Sequence, residues 1–554
     1  MYRRLLSYTL SSPSPPSFKC GSPQLNEPSA RLERRCLSEV ASPASILVLR
    51  HLHEIRPVPC SGLVPVSTAA RNRQQICRDI RETKLSFLQG NVTVAEHVQT
   101  VLDAIHETDA ELGAFVAVAG AGALLEAEAA DRLLADLGEA AFQDRPLLGV
   151  TVSVKDLIQT RDLPTRRGSL LPNRRAAADA PAVARLRAAG AIVVGKTATS
   201  EHGWSASTVS RVAGPTRNPW ARDRSAGGSS GGSAAAVSAG LCTAAVGTDG
   251  AGSVRIPAAF CGVVGFKPSY ARIPYVPPCA ERLAHVGPLA RNVADVAELM
   301  PVLDGPDHRD PDSVTAQSLG AISAGGATLS GGATLSEGAM APGSLRIGWI
   351  EFPRTSGEVR RVTEGILPVL TGLGHRVDRI EVPFPDPYAS LVDVLAAAEA
   401  SGTEPEDEPW CDEGRAAIIR YGRSLSGAAV MRAEESRLTL RARLGSVMDD
   451  YDLLAMATVP VEPFAAEMIA PSWAADPQDL LWLAWSPATY PFNITGQPAL
   501  SLPAGVTARG LPVGLQLVGR VGDDDLVLAA AGRIEARLDL TMAPPGTDTE
   551  GKES

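Results

Sequence analysis

The feature that most restricts how this chain can fold is a run of 24 uncharged residues, Ser225 to Thr248, made mostly of Gly, Ser and Ala. A membrane-spanning helix of that length needs a nearly continuous apolar surface. Here the larger apolar side chains are only Val237, Leu241 and Val246, too few to drive insertion. A flexible linker would be flanked by polar residues, whereas this run continues into an Ala-rich helix to Gly240 and an apolar strand to Gly247. The segment is therefore expected to be buried or to line a site.

The surrounding composition is that of a folded protein. With 45% hydrophobic and 21% charged residues, wholesale disorder is excluded. A chain of 554 residues allows one very large domain or two to three ordinary ones. A net charge of −10 argues against a general nucleic-acid binder. Eight cysteines without a C-x-x-C pair read as reduced thiols rather than a disulfide scaffold or a zinc site.

Residues 1–75 carry ten Lys or Arg against four Glu and are rich in Ser and Pro. They are expected to be a disordered basic extension of a cytoplasmic protein, or a presequence that would place it in mitochondria. A domain is expected over 76–540, with a disordered tail at 541–554. Residues 315–342 contain a tandem hexapeptide, Gly325–Ser330 and Gly331–Ser336, and are expected to be a flexible insertion within that domain.

Local patterns alternate helices with strands. Thr93 and Glu96 form a capping box ahead of an amphipathic helix. A strand is expected at Ala114–Ala117, an Ala-rich helix through Leu137, and a strand over Leu147–Lys155. Asp179 is expected to cap a helix that has Pro181 in its first turn, followed by a short strand at Ala191–Val194. Strands at Leu345–Ile350, Ala499–Pro503 and Pro512–Leu517 and a helix near Asp525–Leu538 complete an α/β reading with a largely parallel or mixed sheet.

Two motif matches fail on context. Gly190 to Thr197 satisfies G-x-x-x-x-G-K-T, but its variable residues, Ala-Ile-Val-Val, read as a strand with the helix before rather than after it. Gly228 to Gly232 satisfies G-x-S-x-G with Ser230 as nucleophile, the elbow of an α/β-hydrolase esterase. The apolar strand that should precede such an elbow is missing, and His285, His308 and His375 sit in no distinguishing context.

The chemistry lies in two glycine-rich blocks, Gly227–Ser233 and Thr248–Ala258. Gly250 and Gly252 allow a tight turn whose amides converge on an anion, with Ser253 beside them, as attack on a carbonyl requires. Glycines for close packing and serines as caps are the structural alternative. A serine nucleophile needs a base, and lysine usage points to one. The chain has 46 Arg and only six Lys, and a buried Lys, unlike Arg, can lose its proton. Lys155, at the end of an apolar strand, is the best-placed candidate; the alternative is a strand-end lysine paired with Asp156.

These blocks resemble the amidase signature enzymes. Further matches are Val154-Lys155-Asp156, Gly195-Lys196-Thr197, Asn218-Pro219-Trp220, Cys261–Pro268, Pro491–Pro498 and Gly510–Gly514, so the similarity runs from about residue 76 to 540. The resemblance implies one large α/β domain, a mixed sheet flanked by helices on both faces. It implies a Ser–Ser–Lys triad: Ser253 as nucleophile, Ser229 as proton relay 24 residues upstream, and Lys155 as base. The family holds the peptide at the Gly228–Ser229 position cis. Ser230 becomes a neighbour of the relay. The amides of Gly250, Ala251, Gly252 and Ser253 would form the oxyanion hole, while Asp249 and Arg255 keep the loop in shape. Ala251 stands where the family commonly has Gly, and its amide is expected to remain usable.

The implied activity is hydrolysis of a linear carboxylic amide through an acyl-enzyme, without metal or organic cofactor. The expected partner is a small-molecule amide, with neither nucleic acid nor membrane, and a homodimer is allowed. The glutaminase component of a tRNA-dependent amidotransferase is the alternative within the family. Such components typically carry Asp-Gln-Ile-Gly-Pro where this chain reads Ala284-His285-Val286-Gly287-Pro288. A catalytically dead scaffold is a third reading, opposed by the intact Lys155, Ser229 and Ser253. Thr199–Arg211, Tyr270–Cys279 and Glu404–Leu438 are expected to shape the pocket, with Trp204, Tyr275 and Trp410 as candidate lining residues.

Overall fold

Fifteen strands order the described part of the chain. They begin with β1 (Phe115–Val118), β2 (Thr151–Lys155) and β3 (Ile192–Thr197). Two short hairpins follow, β4 (Val209–Ser210) with β5 (Gly214–Pro215) and β6 (Arg217–Asn218) with β7 (Ala221–Ser225). The rest are β8 (Ala244–Asp249), β9 (Val264–Lys267), β10 (His285–Ala290), β11 (Arg346–Ile350), β12 (Arg376–Ile380), β13 (Leu453–Ala457), β14 (Ala499–Val506) and β15 (Pro512–Val518). The computed structural model describes residues 79–172, 175–316, 343–540 and 542–545. The expectations for residues 1–75, for most of the 315–342 insertion and for most of the tail lie outside these.

Eleven strands form one mixed sheet in the order β1-β3-β2-β8-β10-β9-β14-β15-β13-β11-β12. Strands β3, β2 and β8 run parallel, as do β13, β11 and β12, and an antiparallel block joins the two sets. Period-two alternation sends Val152 and Val154 of β2 to one face. There they join a core built with the helices Pro181–Ala188, Val293–Leu303 and Asp524–Leu538. The opposite face is covered over the N-terminal strands by Val94–Leu112 and the small-residue helix Gly231–Ser238. Over the C-terminal strands it is covered by a cluster rich in aromatics, including Trp482, Trp485 and Tyr490. Helices thus flank both faces, as expected. Among the described residues no helix is long and apolar enough to cross a membrane.

The capping box closes as the sequence predicts: Thr93 Oγ1 accepts from the Glu96 amide, and the Glu96 carboxylate accepts from the Thr93 amide. Asp179 behaves differently. The N-cap position is Ala180, and the Asp179 carboxylate instead accepts from the Arg161 amide and lies 3.5 Å from Arg187. The P-loop-like residues do form a strand, β3. Beyond the last helix, Pro544 is buried and Met542 packs beside Gly262.

Candidate active site

The site forms at the carboxyl ends of the parallel strands β2 and β8, where open α/β sheets commonly bind ligands. Lys155 ends β2, and Thr248 and Asp249 end β8. Above them lies the turn that leads into the helix Gly231–Ser238. That helix reaches the sheet because its first two residues carry no Cβ: one on Gly232 would stand 2.5 Å from the Ala198 nitrogen and 2.6 Å from the Ala114 oxygen. The uncharged run is buried for this reason, and the packing and chemical readings of its glycines hold together.

Lys155 is fully buried, and its Nζ donates to Ser229 Oγ at 2.8 Å, to Thr248 Oγ1 at 2.8 Å and to the Thr248 carbonyl at 3.3 Å. Burial holds its pKa well below that of an ordinary amine, against the opposing pull of Asp249. Asp156, the alternative partner, pairs with Lys196 at 3.6 Å instead. The Gly228–Ser229 peptide is cis, as the resemblance implies.

The two glycine blocks are stitched together by backbone. Ser230 donates its amide to the Ser253 carbonyl at 3.1 Å, and its hydroxyl to the Thr248 carbonyl at 3.1 Å. Ser230 is thus tied down at the helix N-cap while Ser229 faces the cavity. Ser229, Thr248, Gly250, Ala251 and Ser253 share the wall of one cavity of about 410 Å³.

Asp249 organises the loop beneath. Its carboxylate accepts from the Gly252 amide at 2.7 Å, the Val254 amide at 3.1 Å and the Arg255 guanidinium at 2.9 Å. Burial would raise the Asp249 pKa, but the charge and hydrogen bonds of Arg255 overcome it and hold the carboxylate ionised. The Gly252 amide is therefore committed to Asp249, which removes it from the four donors expected of the oxyanion hole. The amides of Gly250, Ala251 and Ser253 make no backbone or side-chain bond among the described residues. Only Gly252 in this turn has a left-handed φ, +128°. Ala251 has none, so its Cβ is accommodated as expected.

Three residues distant in sequence complete the support. Asn493 donates to the Asp249 carboxylate at 2.8 Å and accepts from Arg255. Thr489 Oγ1 donates to the Ala251 carbonyl at 2.7 Å, and Gln516 accepts from Arg255 at 2.8 Å. Asn493 stood in a motif recognised without a role. Gln516, a polar residue inside the apolar strand β15, was the available signal for the other side of Arg255. Thr248 carried none. Of the candidate pocket residues, Trp204 and Tyr275 line the cavity, whereas Trp410 is 57% exposed and lies outside it.

The sequence profile of the Amidase family matches residues 96–528. The chain belongs to the amidase signature family. An acylamidase of Rhodococcus erythropolis is 35% identical over 406 residues, 71% of this chain and 82% of that protein. The matching component of the glutamyl-tRNA(Gln) amidotransferase of Thermus thermophilus is 37% identical over 479 residues, 81% and 95% of the two chains. Among solved structures, 6-aminohexanoate cyclic dimer hydrolase with bound substrate superposes with a TM-score of 0.71 at 27% identity, covering 85% of this chain and 99% of that one. The amidase signature match spans both serine-bearing blocks, Gly227–Ser233 and Thr248–Ala258.

Proposed function

We propose that this protein hydrolyses a linear carboxylic amide, with Ser253 as nucleophile, Ser229 as proton relay and Lys155 as general base. The observation that carries the reading is the 2.8 Å contact of Lys155 Nζ with Ser229 Oγ in a site whose burial favours the neutral amine. Ser253 Oγ attacks the amide carbon as its proton passes to Ser229, whose own proton passes to Lys155. The electron pair of the carbonyl moves to oxygen, where the free amides of Gly250, Ala251 and Ser253 receive it. One such donor is typically worth about 3–4 kcal/mol. Collapse breaks the C–N bond, the proton returns through Ser229 to the leaving nitrogen, and the amine departs. Water then attacks the Ser253 ester by the same relay, giving the carboxylic acid and the free enzyme.

The test is ammonia or amine release from a panel of amides by wild type, Ser253→Ala and Ser230→Ala. Loss with Ser253→Ala and retention with Ser230→Ala is the expected result; the reverse would restore the elbow esterase. The relationship to the amidotransferase components supports a second reading. Under it, glutamine would turn over only when the other members of such a complex are added.

A further inference from the structure

The cavity holds a charge that the chemistry above does not use. Arg167 lines it together with Ser229 and Ser253. Its Nε is enclosed without an acceptor, and no ion pair joins its guanidinium to another described residue. Arg415, on the same wall, is the contrast. It bonds Glu399 at 2.9 Å, Thr403 at 2.9 Å and Cys411 Sγ at 3.0 Å, and lies 3.6 Å from Glu201.

The backbone of Arg167 is fixed from both sides. Its amide donates to the Asp156 carbonyl at 3.1 Å, and its carbonyl accepts from the His202 amide at 2.8 Å. Its φ is +58°, a conformation that a residue with a Cβ adopts only when its surroundings impose it. Because Asp156 directly follows Lys155, this backbone bond ties Arg167 to the segment that carries the proposed base.

The other ionisable groups of the cavity leave this charge unmatched. Burial, then Arg415 and Arg167, hold His202 uncharged down to about 3. Glu399 is engaged by Arg415. Glu281, the remaining carboxyl of the cavity, forms no ion pair with Arg167 among the described residues, and burial raises it above its ordinary value; burial raises the Tyr275 phenol and the Cys279 thiol as well. Apolar surface from Trp204, Pro277, Leu395 and Trp482 makes up much of the rest.

We propose that Arg167 binds a carboxylate of the substrate, so that the preferred amide carries an anionic group on an apolar body, as the monoamide of a dicarboxylic acid does. A guanidinium matches a carboxylate through two parallel N–H···O bonds and is a poor host for a neutral amide in its place. The inference rests on the amidase reading of the same site and names its substrate class.

Adipamate, with one amide and one carboxylate, and adipamide, with two amides, are probes of equal length. Wild type is expected to favour adipamate in kcat/KM by about 10- to 100-fold, the range of a charge-assisted hydrogen bond. Arg167→Gln should bring that ratio close to one, and Arg167→Lys should recover part of it. A wild-type ratio near one, a preference that survives Arg167→Gln, or a preference for zwitterionic glutamine over adipamate would overturn the proposal. Calorimetric binding of adipamate to Ser253→Ala, with and without Arg167→Gln, separates the two readings. Binding weakened tenfold or more by Arg167→Gln upholds the inference even if wild type releases no ammonia, in which case the amidase reading falls alone. Turnover of both probes without preference removes the inference alone.

Discussion

Lys155 and Lys196 stand at the ends of neighbouring parallel strands, both with no exposed surface, yet they do different work. The register pairs Val154 with Lys196 and Lys155 with Thr197, so alternation sends the two amines to opposite faces. Lys196 meets a carboxylate, Asp156 at 3.6 Å, together with the Ile158 carbonyl and Thr165 Oγ1, both at 2.7 Å. It pins the turn that leaves β2. Lys155 meets two hydroxyls and a carbonyl but no carboxylate within ion-pair distance. Burial lowers both, Lys196 to about 8 against the pull of Asp156, and Lys155 well below an ordinary amine against the pull of Asp249. Under the proposed mechanism the contrast teaches that a buried lysine can serve as a base where no carboxylate balances it, whereas a full counter-charge makes it a structural tie.

The largest effect expected from breaking this contrast is on turnover. Lys155→Met should cut kcat by about 10²–10⁴, the usual worth of a general base, with the thermal midpoint held or raised. Ser253→Ala should abolish the burst of acyl-enzyme in the same assay. Lys196→Met should act on stability instead. It strands Asp156 as an unpaired buried carboxylate at a cost of about 3–5 kcal/mol, measured by urea unfolding, while each folded molecule keeps its turnover.

The pH profiles sharpen the comparison. Under the proposed mechanism turnover requires neutral Lys155, so kcat/KM should rise with pH and then flatten, and Lys155→Met should lose that rise. For Lys196 the sign runs through stability. Its pKa is about 8 when folded and about 10.4 when unfolded. Between these values the unfolded chain binds more protons, so stability rises with pH, and Lys196→Met should flatten the rise. A smaller effect, about 1–3 kcal/mol, is expected for Gly232→Ala, whose new methyl would press on the Ala198 and Ala114 backbone. The smallest is Trp410→Ala. Its exposed ring lies outside the cavity, and both stability and KM should stay close to wild type.

Much of the site was legible because its chemistry leaves marks on composition. Six lysines among 46 arginines made each lysine conspicuous, and a charge-free run bracketed by Arg224 and Asp249 marked a buried segment. What stayed hidden depends on pairing in space. Whether Asp156 serves Lys155 or Lys196 is decided by the β2–β3 register, and local spacing does not encode it. Asp179 looks like a cap because Asp and Pro stand at the right offset, but Arg161 and Arg187 compete for its oxygens and win. The Gly252 amide could not be removed from the oxyanion donors without seeing Asp249 fold back on it. The alternation of helix and strand pointed to a largely parallel or mixed sheet, while the order of eleven strands is a property of crossovers that no local pattern records.

The grip on Arg255 by the Thr489 carbonyl, Asn493 and Gln516 carries a consequence for biosynthesis. The serine-bearing loops leave the ribosome more than two hundred residues before the segment that locks them. A nascent chain, or one cut within 317–342, therefore holds the complete triad sequence without the clamp that shapes it. Under the proposed mechanism the reactive loop is completed only when Thr489, Asn493 and Gln516, made last, close on Arg255, so the chain would emerge inert and mature by closing on itself.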